Sequence, residues 1–263
     1  MPRFLFTCSY DGAPYLGWQS QRGGGTIQDT LESAFAAILR QPLRIAAAGR
    51  TDAGVHALGQ RFHADVPAEC RMSALNWRAA LNANLPASIR ILEAREVQPG
   101  FHARFDATGK IYEYLISREA VLSPFLARRA WHLPHAWDAD LLAGALHCYE
   151  GEHDFRRLSA RRGNEPADPL ADFYRRTIYR AELLAEGELI RLRFHGNGFM
   201  YRMVRLLVGS AHQVARGRMS LDALREYMQQ PIGPTSRFCA PADGLYLKQV
   251  EYAEGIPGTQ DAE

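Results

Sequence analysis

Two strand-like segments, Arg175–Leu184 and Glu188–Phe194, flank the short turn sequence Ala185-Glu186-Gly187. A connection of that length joins antiparallel neighbours, because a parallel crossover needs roughly a dozen residues or more. Such a hairpin between helical segments restricts the chain to folds that mix helices with antiparallel strands. Arg3–Tyr10 alternates in the same strand-like way, as does Arg61–Val66 with Phe62, Ala64 and Val66 on one side. Leu43–Ala48, Ile89–Val97, Lys110–Ser117 and Leu245–Tyr252 complete the predicted strands.

Helical periodicity separates these strands. Thr26 reads as an N-cap with Asp29 three residues on, and Ile27, Leu31, Phe35, Ile38 and Leu39 form an apolar stripe behind it. Ser73 opens a second helix that ends near Asn84, ahead of Pro86. Asp138 caps a third, with Gly151 past its end. A long helix is predicted from about Gly198 to Arg216, and a shorter one begins at Ser220. The pattern is that of an α+β protein whose mostly antiparallel sheet is backed by helices on one face. The two halves of the sequence have similar element orders, without a residue-level repeat.

Composition narrows the function. At 263 residues and 47% hydrophobic, the chain can bury a large core without disulfides or metal. No apolar run approaches the roughly 18 residues of a membrane span. The opening Met1-Pro-Arg-Phe-Leu-Phe-Thr-Cys8 lacks the pattern of a signal peptide. Cys8, Cys70, Cys148 and Cys239 lie far apart and show no ligand spacing, so a reducing cytoplasmic location is expected. Net charge is only +2, yet the cations are 29 Arg and 2 Lys. Six arginines and no acid fall between Leu189 and Leu221, and a second group comprises Arg156, Arg157, Arg161, Arg162, Arg175 and Arg176. Arg-favouring codon usage is one reading of the preference for Arg over Lys; the other is that guanidinium groups grip phosphates bidentately and stack on bases. Segregation along the chain points to a basic face and a polyanionic partner.

The segment most suggestive of chemistry is Ala48-Gly-Arg-Thr-Asp-Ala-Gly-Val-His-Ala57, which sets Arg50 two residues before Asp52 in a glycine-bracketed turn after a strand. A carboxylate there can be held exposed at a sheet end, kept ionised by the neighbouring cation and available as a nucleophile. The plainer alternative is an Asx turn with no chemistry. Gly23-Gly24-Gly25 lacks the Gly-Lys-Ser/Thr of a phosphate cradle and reads as a loop.

Ala-Gly-Arg-Thr-Asp-Ala-Gly-Val-His resembles the catalytic motif of the tRNA pseudouridine synthase A family. Further segments resemble stretches of that family, in family order, over nearly the whole chain. They are Tyr10-Asp-Gly-x-x-Tyr-x-Gly-Trp-Gln19, Asn82-x-Asn-Leu-Pro86, Phe101-His-Ala-Arg-Phe105 and Tyr112-x-Tyr114. Gly198-Phe199 with Met203-Val-Arg-x-x-Val-Gly209, and Gly244-Leu-Tyr-Leu247, continue the series. The implied architecture is two similar ferredoxin-like (RNA-recognition-like) halves, 1–105 and 106–263. They would share one continuous sheet, with an active-site cleft between them.

The resemblance implies an isomerase that converts uridine to pseudouridine at positions 38, 39 and 40 of the tRNA anticodon stem-loop. It also implies no cofactor and no metal. Its implied partners are tRNA and a second copy of the chain. Asp52 would be the catalytic carboxylate and Arg50 the residue holding the flipped nucleotide. Tyr112 would pack on the uracil, Arg205 would pair with and orient Asp52, and Leu245 would wall the base pocket. Each has a plainer reading beside it: a surface ion pair for Arg50, strand core for Tyr112, a phosphate contact for Arg205 and sheet core for Leu245. His56 and His102, although inside the motifs, read as structural. Two rivals remain, an aspartate-nucleophile hydrolase and a non-catalytic RNA-binding protein of the same fold. Gly54 stands where a phosphatase wants its second Asp, and no second carboxylate stands out as a glycosidase partner for Asp52.

Overall fold

The computed structural model describes residues 1–161, 163 and 172–253. In chain order its first elements are β1 (Arg3–Tyr10), α1 (Ile27–Leu39), β2 (Ile45–Ala47), β3 (His56–Asp65), α2 (Ala74–Asn84) and β4 (Ile89–Val97). There follow β5 (Ala107–Ser117), β6 (Trp131–His132), α3 (Ala139–His147), β7 (Gly151–Asp154), β8 (Arg175–Glu186), β9 (Leu189–Gly196), α4 (Met203–Ala215), α5 (Leu221–Gln229) and β10 (Leu245–Tyr252). Two compact units emerge, one of Met1–Gly109 with the chain from Tyr246 onward, the other Lys110–Leu245. A single boundary between residues 105 and 106 is expected from the sequence; the units divide at Gly109 and again at Leu245.

The first unit is a β-α-β-β-α-β run whose strands order as β4-β1-β3-β2, every pair antiparallel. This is the ferredoxin-like layout. Thr26 caps α1 as its sequence predicts, its hydroxyl accepting the Asp29 N–H and donating to the Asp29 carboxylate. Aromatic side chains fill the space between sheet and helices. Phe6 of β1 stacks on Phe62 of β3 with centroids 5.0 Å apart, Phe35 of α1 meets Phe6 edge-on at 5.4 Å, and Trp77 of α2 meets Phe35 at 5.5 Å. All four rings are fully buried. Aromatic pairs of this kind add about 0.5–1.5 kcal/mol each beyond area burial.

One edge of β3 has two partners. Phe62–Ala64 pairs with β2, whereas His56 and Ala57 pair in parallel with Tyr246 and Leu247 of β10. Both come from segments flanking the candidate site, so the root of that site is stitched at two places.

The second unit orders its strands β5-β9-β8-β7, all antiparallel, with β6 added in parallel to β5. Its β5, β9 and β8 repeat the order of β1, β3 and β2, and α3 and α4 occupy the places of α1 and α2. The predicted hairpin is β8–β9, with Ala185 opposite Ile190 and Gly187 in the left-handed region at φ 64°. Helix α3 packs against α4 and is tied to it by the buried Tyr149, whose phenol donates to the Leu207 carbonyl at 2.9 Å.

Two expectations are corrected. The helix predicted from about Gly198 starts only at Met203, because Arg202 adopts φ 56° and cannot continue an α-helix from the N-terminal side. Strand β3 begins at His56 rather than Arg61. The third helix, capped by Asp138, ends at His147, and Gly151 lies past that end as expected, where it opens β7.

Candidate active site

In the first unit, the loop from Ala48 to Val55 joins β2 to β3, and its backbone is fixed almost residue by residue. At its base the Ala48 N–H donates to Arg61 O (2.7 Å) and the Gln60 side-chain amide to Gly49 O (2.9 Å). Thr51 is buried, its carbonyl accepting the Trp18 N–H at 3.0 Å and its hydroxyl lying 2.8 Å from the Tyr10 phenol. The Asp52 carbonyl accepts the Val55 N–H at 3.1 Å, closing a tight turn through Gly54 at φ 79°. The Tyr15 carbonyl accepts the Gly54 N–H. The motif segment Tyr10–Gln19 therefore grips the motif segment Arg50–Gly54.

Gly17 makes that grip possible. It sits at φ 93°, and a Cβ there would lie 2.8 Å from the Thr51 carbonyl oxygen and 3.0 Å from the Ala53 nitrogen. Only glycine combines this backbone conformation with so close an approach. The outcome is a gradient of exposure along three residues: Arg50 exposed, Thr51 buried, Asp52 half-buried. A carboxylate carried on a backbone this constrained is pre-organised, which is what nucleophilic or electrostatic catalysis requires.

His56 lies at the foot of the same loop. Its Nδ1 accepts the Gly12 N–H at 3.1 Å, and its ring stacks on Tyr246 at 4.7 Å. Nδ1 also lies 3.2 Å from an Asp11 carboxylate oxygen. A nitrogen accepting from Gly12 carries no proton for Asp11, so the amide contact describes this ring better than an ion pair does. His56 thus joins the first, second and last motif segments as a structural acceptor.

In the second unit, Tyr112 and Tyr114 lie on one face of β5 and the buried Glu113 on the other. Glu113 accepts from Arg193 at 2.9 Å. Tyr112 is opposite Phe194 in the ladder and meets Phe199 edge-on at 5.2 Å, leaving it 8% exposed. Arg205 is in the first turn of α4; its Nε donates to Ala240 O at 2.8 Å, and the Ala240 N–H returns to Arg205 O at 3.0 Å. Leu245 is buried, and its N–H donates to Ala242 O at 2.9 Å in the turn entering β10. Asp52 and Arg50 belong to one unit, Tyr112, Arg205 and Leu245 to the other.

The arginine cluster divides. Arg156 is 8% exposed, its guanidinium 4.6 Å above the Tyr174 ring and 3.4 Å from Asp154. Arg157 lies over Tyr227 at 4.5 Å and donates to the carbonyls of Pro234, Gln230 and Glu226 near the end of α5. Both are built into the unit. Arg161 and Arg175 are exposed, the latter bridged to Glu152 at 2.9 Å and Asp172 at 3.3 Å. Arg176 donates to the Phe173 carbonyl at 2.9 Å. Arg162 lies outside the described residues, as does most of the loop 161–172. Among the described residues no group of three or more His, Cys, Asp or Glu could hold a metal ion, and no helix is long and apolar enough to cross a membrane.

The grip of Tyr10, Tyr15, Gly17 and Trp18 on the Asp52 loop escapes sequence reasoning, although the spacing of glycines and aromatics in that segment was its available signal.

Residues 7–106 and 145–253 match the protein-family profile described as tRNA pseudouridine synthase. That match covers most of the chain, so this α+β protein belongs to a known family, the tRNA pseudouridine synthases. A tRNA pseudouridine synthase A of Akkermansia muciniphila is 52% identical over 255 residues, covering 97% of this chain and 96% of the relative. One of Neisseria gonorrhoeae is 41% identical over 255 residues (95% and 92%), and one of Methylacidiphilum infernorum 37% over 249 residues (95% of each).

Proposed function

We propose that this isomerase converts uridine to pseudouridine at positions 38, 39 and 40 of the tRNA anticodon stem-loop, with the Asp52 carboxylate as its nucleophile. The observation that carries the reading is the clamped loop. Thr51 is locked beneath the Tyr10–Trp18 segment, so Asp52 is presented from a rigid backbone beside the exposed Arg50. A hydrolase acting through Asp52 finds no second carboxylate in that loop, and a binding module has no need of a pre-organised one.

The reaction breaks the C1′–N1 bond, turns the uracil, and joins C5 to C1′. C5 gives up its proton and N1 gains one, so the product is an isomer and needs no redox partner. Asp52 serves by attack on C1′, by addition at C6 or by assisting a glycal route. Each requires an ionised oxygen at a fixed place. The uridine must first leave its stack, at a cost of a few kcal/mol. Arg50 holds the extruded nucleotide, Tyr112 offers its ring to the uracil, Leu245 walls the base, and Arg205 orients the carboxylate. Reading several adjacent positions favours recognition of shape and phosphate over base edges. The exposed Arg161 and Arg175 and the half-buried Arg176 suit phosphate contact better than Arg156 and Arg157, whose guanidiniums are spent inside the fold. The working state is a cytoplasmic homodimer.

The test is tritium release from tRNA labelled at uridine C5. Asp52→Asn keeps the side chain's size, so it should fold, bind tRNA and release no label. Release at the wild-type rate would overturn the assignment.

A further inference from the structure

Between α5 and β10 the chain runs back along α4, meeting Ser210, Gly209 and, at Ala240, Arg205. We propose that residues 231–241 form a strap that sets the direction of the Arg205 guanidinium, with Ser236 as its positioning residue. The inference rests on the reading that Arg205 serves the reaction.

The anchors succeed one another along the strap. The Arg157 guanidinium holds its start through the Pro234 carbonyl, and the Ser236 N–H donates to the Arg157 carbonyl at 2.7 Å. The Ser236 hydroxyl lies 2.8 Å from that of Ser210 on α4, both buried, and accepts the Phe238 N–H at 3.3 Å. One helical turn beyond Arg205, Gly209 lets the strap lie directly on the helix. A Cβ at that position would fall 2.0 Å from the Phe238 carbonyl oxygen. Two residues further, Ala240 receives the Arg205 Nε and returns its N–H to the Arg205 carbonyl. Beyond that, Pro241 is held by the Tyr114 phenol at 2.8 Å.

A guanidinium is planar, so a fixed Nε fixes the plane and heading of the whole group. The Ala240 carbonyl can do this only while the strap keeps its place on the helix. Ser236 is where that place is set, because one side chain and its own N–H bind the strap to α4, to Arg157 and to the strap's next turn. Gly209 belongs to the motif Met203-Val-Arg-x-x-Val-Gly209, and the close approach of Phe238 explains its position one turn after the arginine.

The test is a double-mutant cycle on full-length protein, read as single-turnover rate with saturating tRNA and as tRNA Kd. Ser236→Ala should lower the rate by roughly 10–100-fold, the scale of a small misplacement of a working group, with little change in Kd. Ser236→Thr, which keeps the hydroxyl, should restore most of it. In an Arg205→Ala background, Ser236→Ala should cost no further rate. Ser210→Ala/Ser236→Ala, which leaves neither hydroxyl stranded, guards against simple misfolding and should show the same dependence on Arg205. Equal losses in both backgrounds would overturn the strap's positioning role. So would a wild-type rate in Ser236→Ala beside a slow Arg205→Ala. A wild-type rate in Arg205→Ala would instead overturn the role of the arginine itself, and the strap inference with it.

Discussion

The Tyr10 phenol and the Thr51 hydroxyl lie 2.8 Å apart, and both side chains are buried in the first unit. The pair ties the last residue of β1 to the residue before Asp52, so the sheet itself holds the loop that carries the carboxylate.

Tyr10→Phe should therefore cost about 1–2 kcal/mol of stability, since it leaves the Thr51 hydroxyl buried without that partner. It should also slow tritium release more than it weakens tRNA binding. Urea denaturation and a kcat-against-KM comparison check the two halves of this expectation.

Gly17→Ala puts a methyl group against the Thr51 carbonyl and forces a side chain into φ 93°. The backbone strain alone costs about 1–3 kcal/mol. We expect a lowered denaturation midpoint and a loop that no longer supports turnover. An unchanged midpoint would show that the loop yields without penalty.

Tyr112 separates ring from hydroxyl. Tyr112→Phe preserves the edge contact with Phe199 and should keep most of the rate, whereas Tyr112→Ala should lose far more. Equal rate losses would show that the phenolic oxygen, and not the ring face, is what the reaction uses.

Acid should destabilise the fold through two histidines. Burial, assisted by the nearby Arg3, pushes His63 down to about 4, and burial beside Arg216 and Arg218 pushes His212 down to about 4. His63 Nδ1 accepts the Ala103 N–H at 3.1 Å, which needs the neutral ring. Both stay neutral when folded but take up a proton near pH 6.5 when unfolded, so the unfolded chain binds more protons in between. Stability is fully present above about pH 6.5 and falls as pH drops toward 4, each ring adding a slope of up to about 1.4 kcal/mol per pH unit. His212→Phe keeps a ring against Trp131 and should flatten this slope in urea titrations between pH 4 and 7.

For RNA contact, tRNA affinity should fall steeply with salt. Arg175→Gln or Arg176→Gln should each reduce the logarithmic salt slope by about one. Arg156→Gln should leave that slope alone and lower stability instead, because its guanidinium is packed on Tyr174. Filter binding at graded salt, with thermal melts alongside, distinguishes the two behaviours.

Local signals in the sequence were legible where the physics is local. The Thr26–Asp29 cap, the stripe of α1, the Asp138 cap and the turn at Gly187 each depend on neighbours a few residues apart, and each is where its pattern puts it. Longer-range features were not. Nothing in Arg156-Arg157 says that one guanidinium is packed over Tyr174 and the other is lodged among carbonyls near the end of α5. The left-handed Arg202 that delays α4 has no glycine to announce it. In the candidate site, Asp52 is singled out by its motif, but the clamp on its loop joins residues more than thirty positions apart, which no periodicity records.

β10 pairs with His56 and Ala57, although almost two hundred residues of chain separate them. During synthesis the loop-bearing edge of β3 must therefore wait, part of it uncapped, until the long stretch of chain up to β10 has left the ribosome. The nascent enzyme can assemble most of its first sheet early, yet the segment just after Asp52 gains its β10 neighbour only once that distant strand has been made.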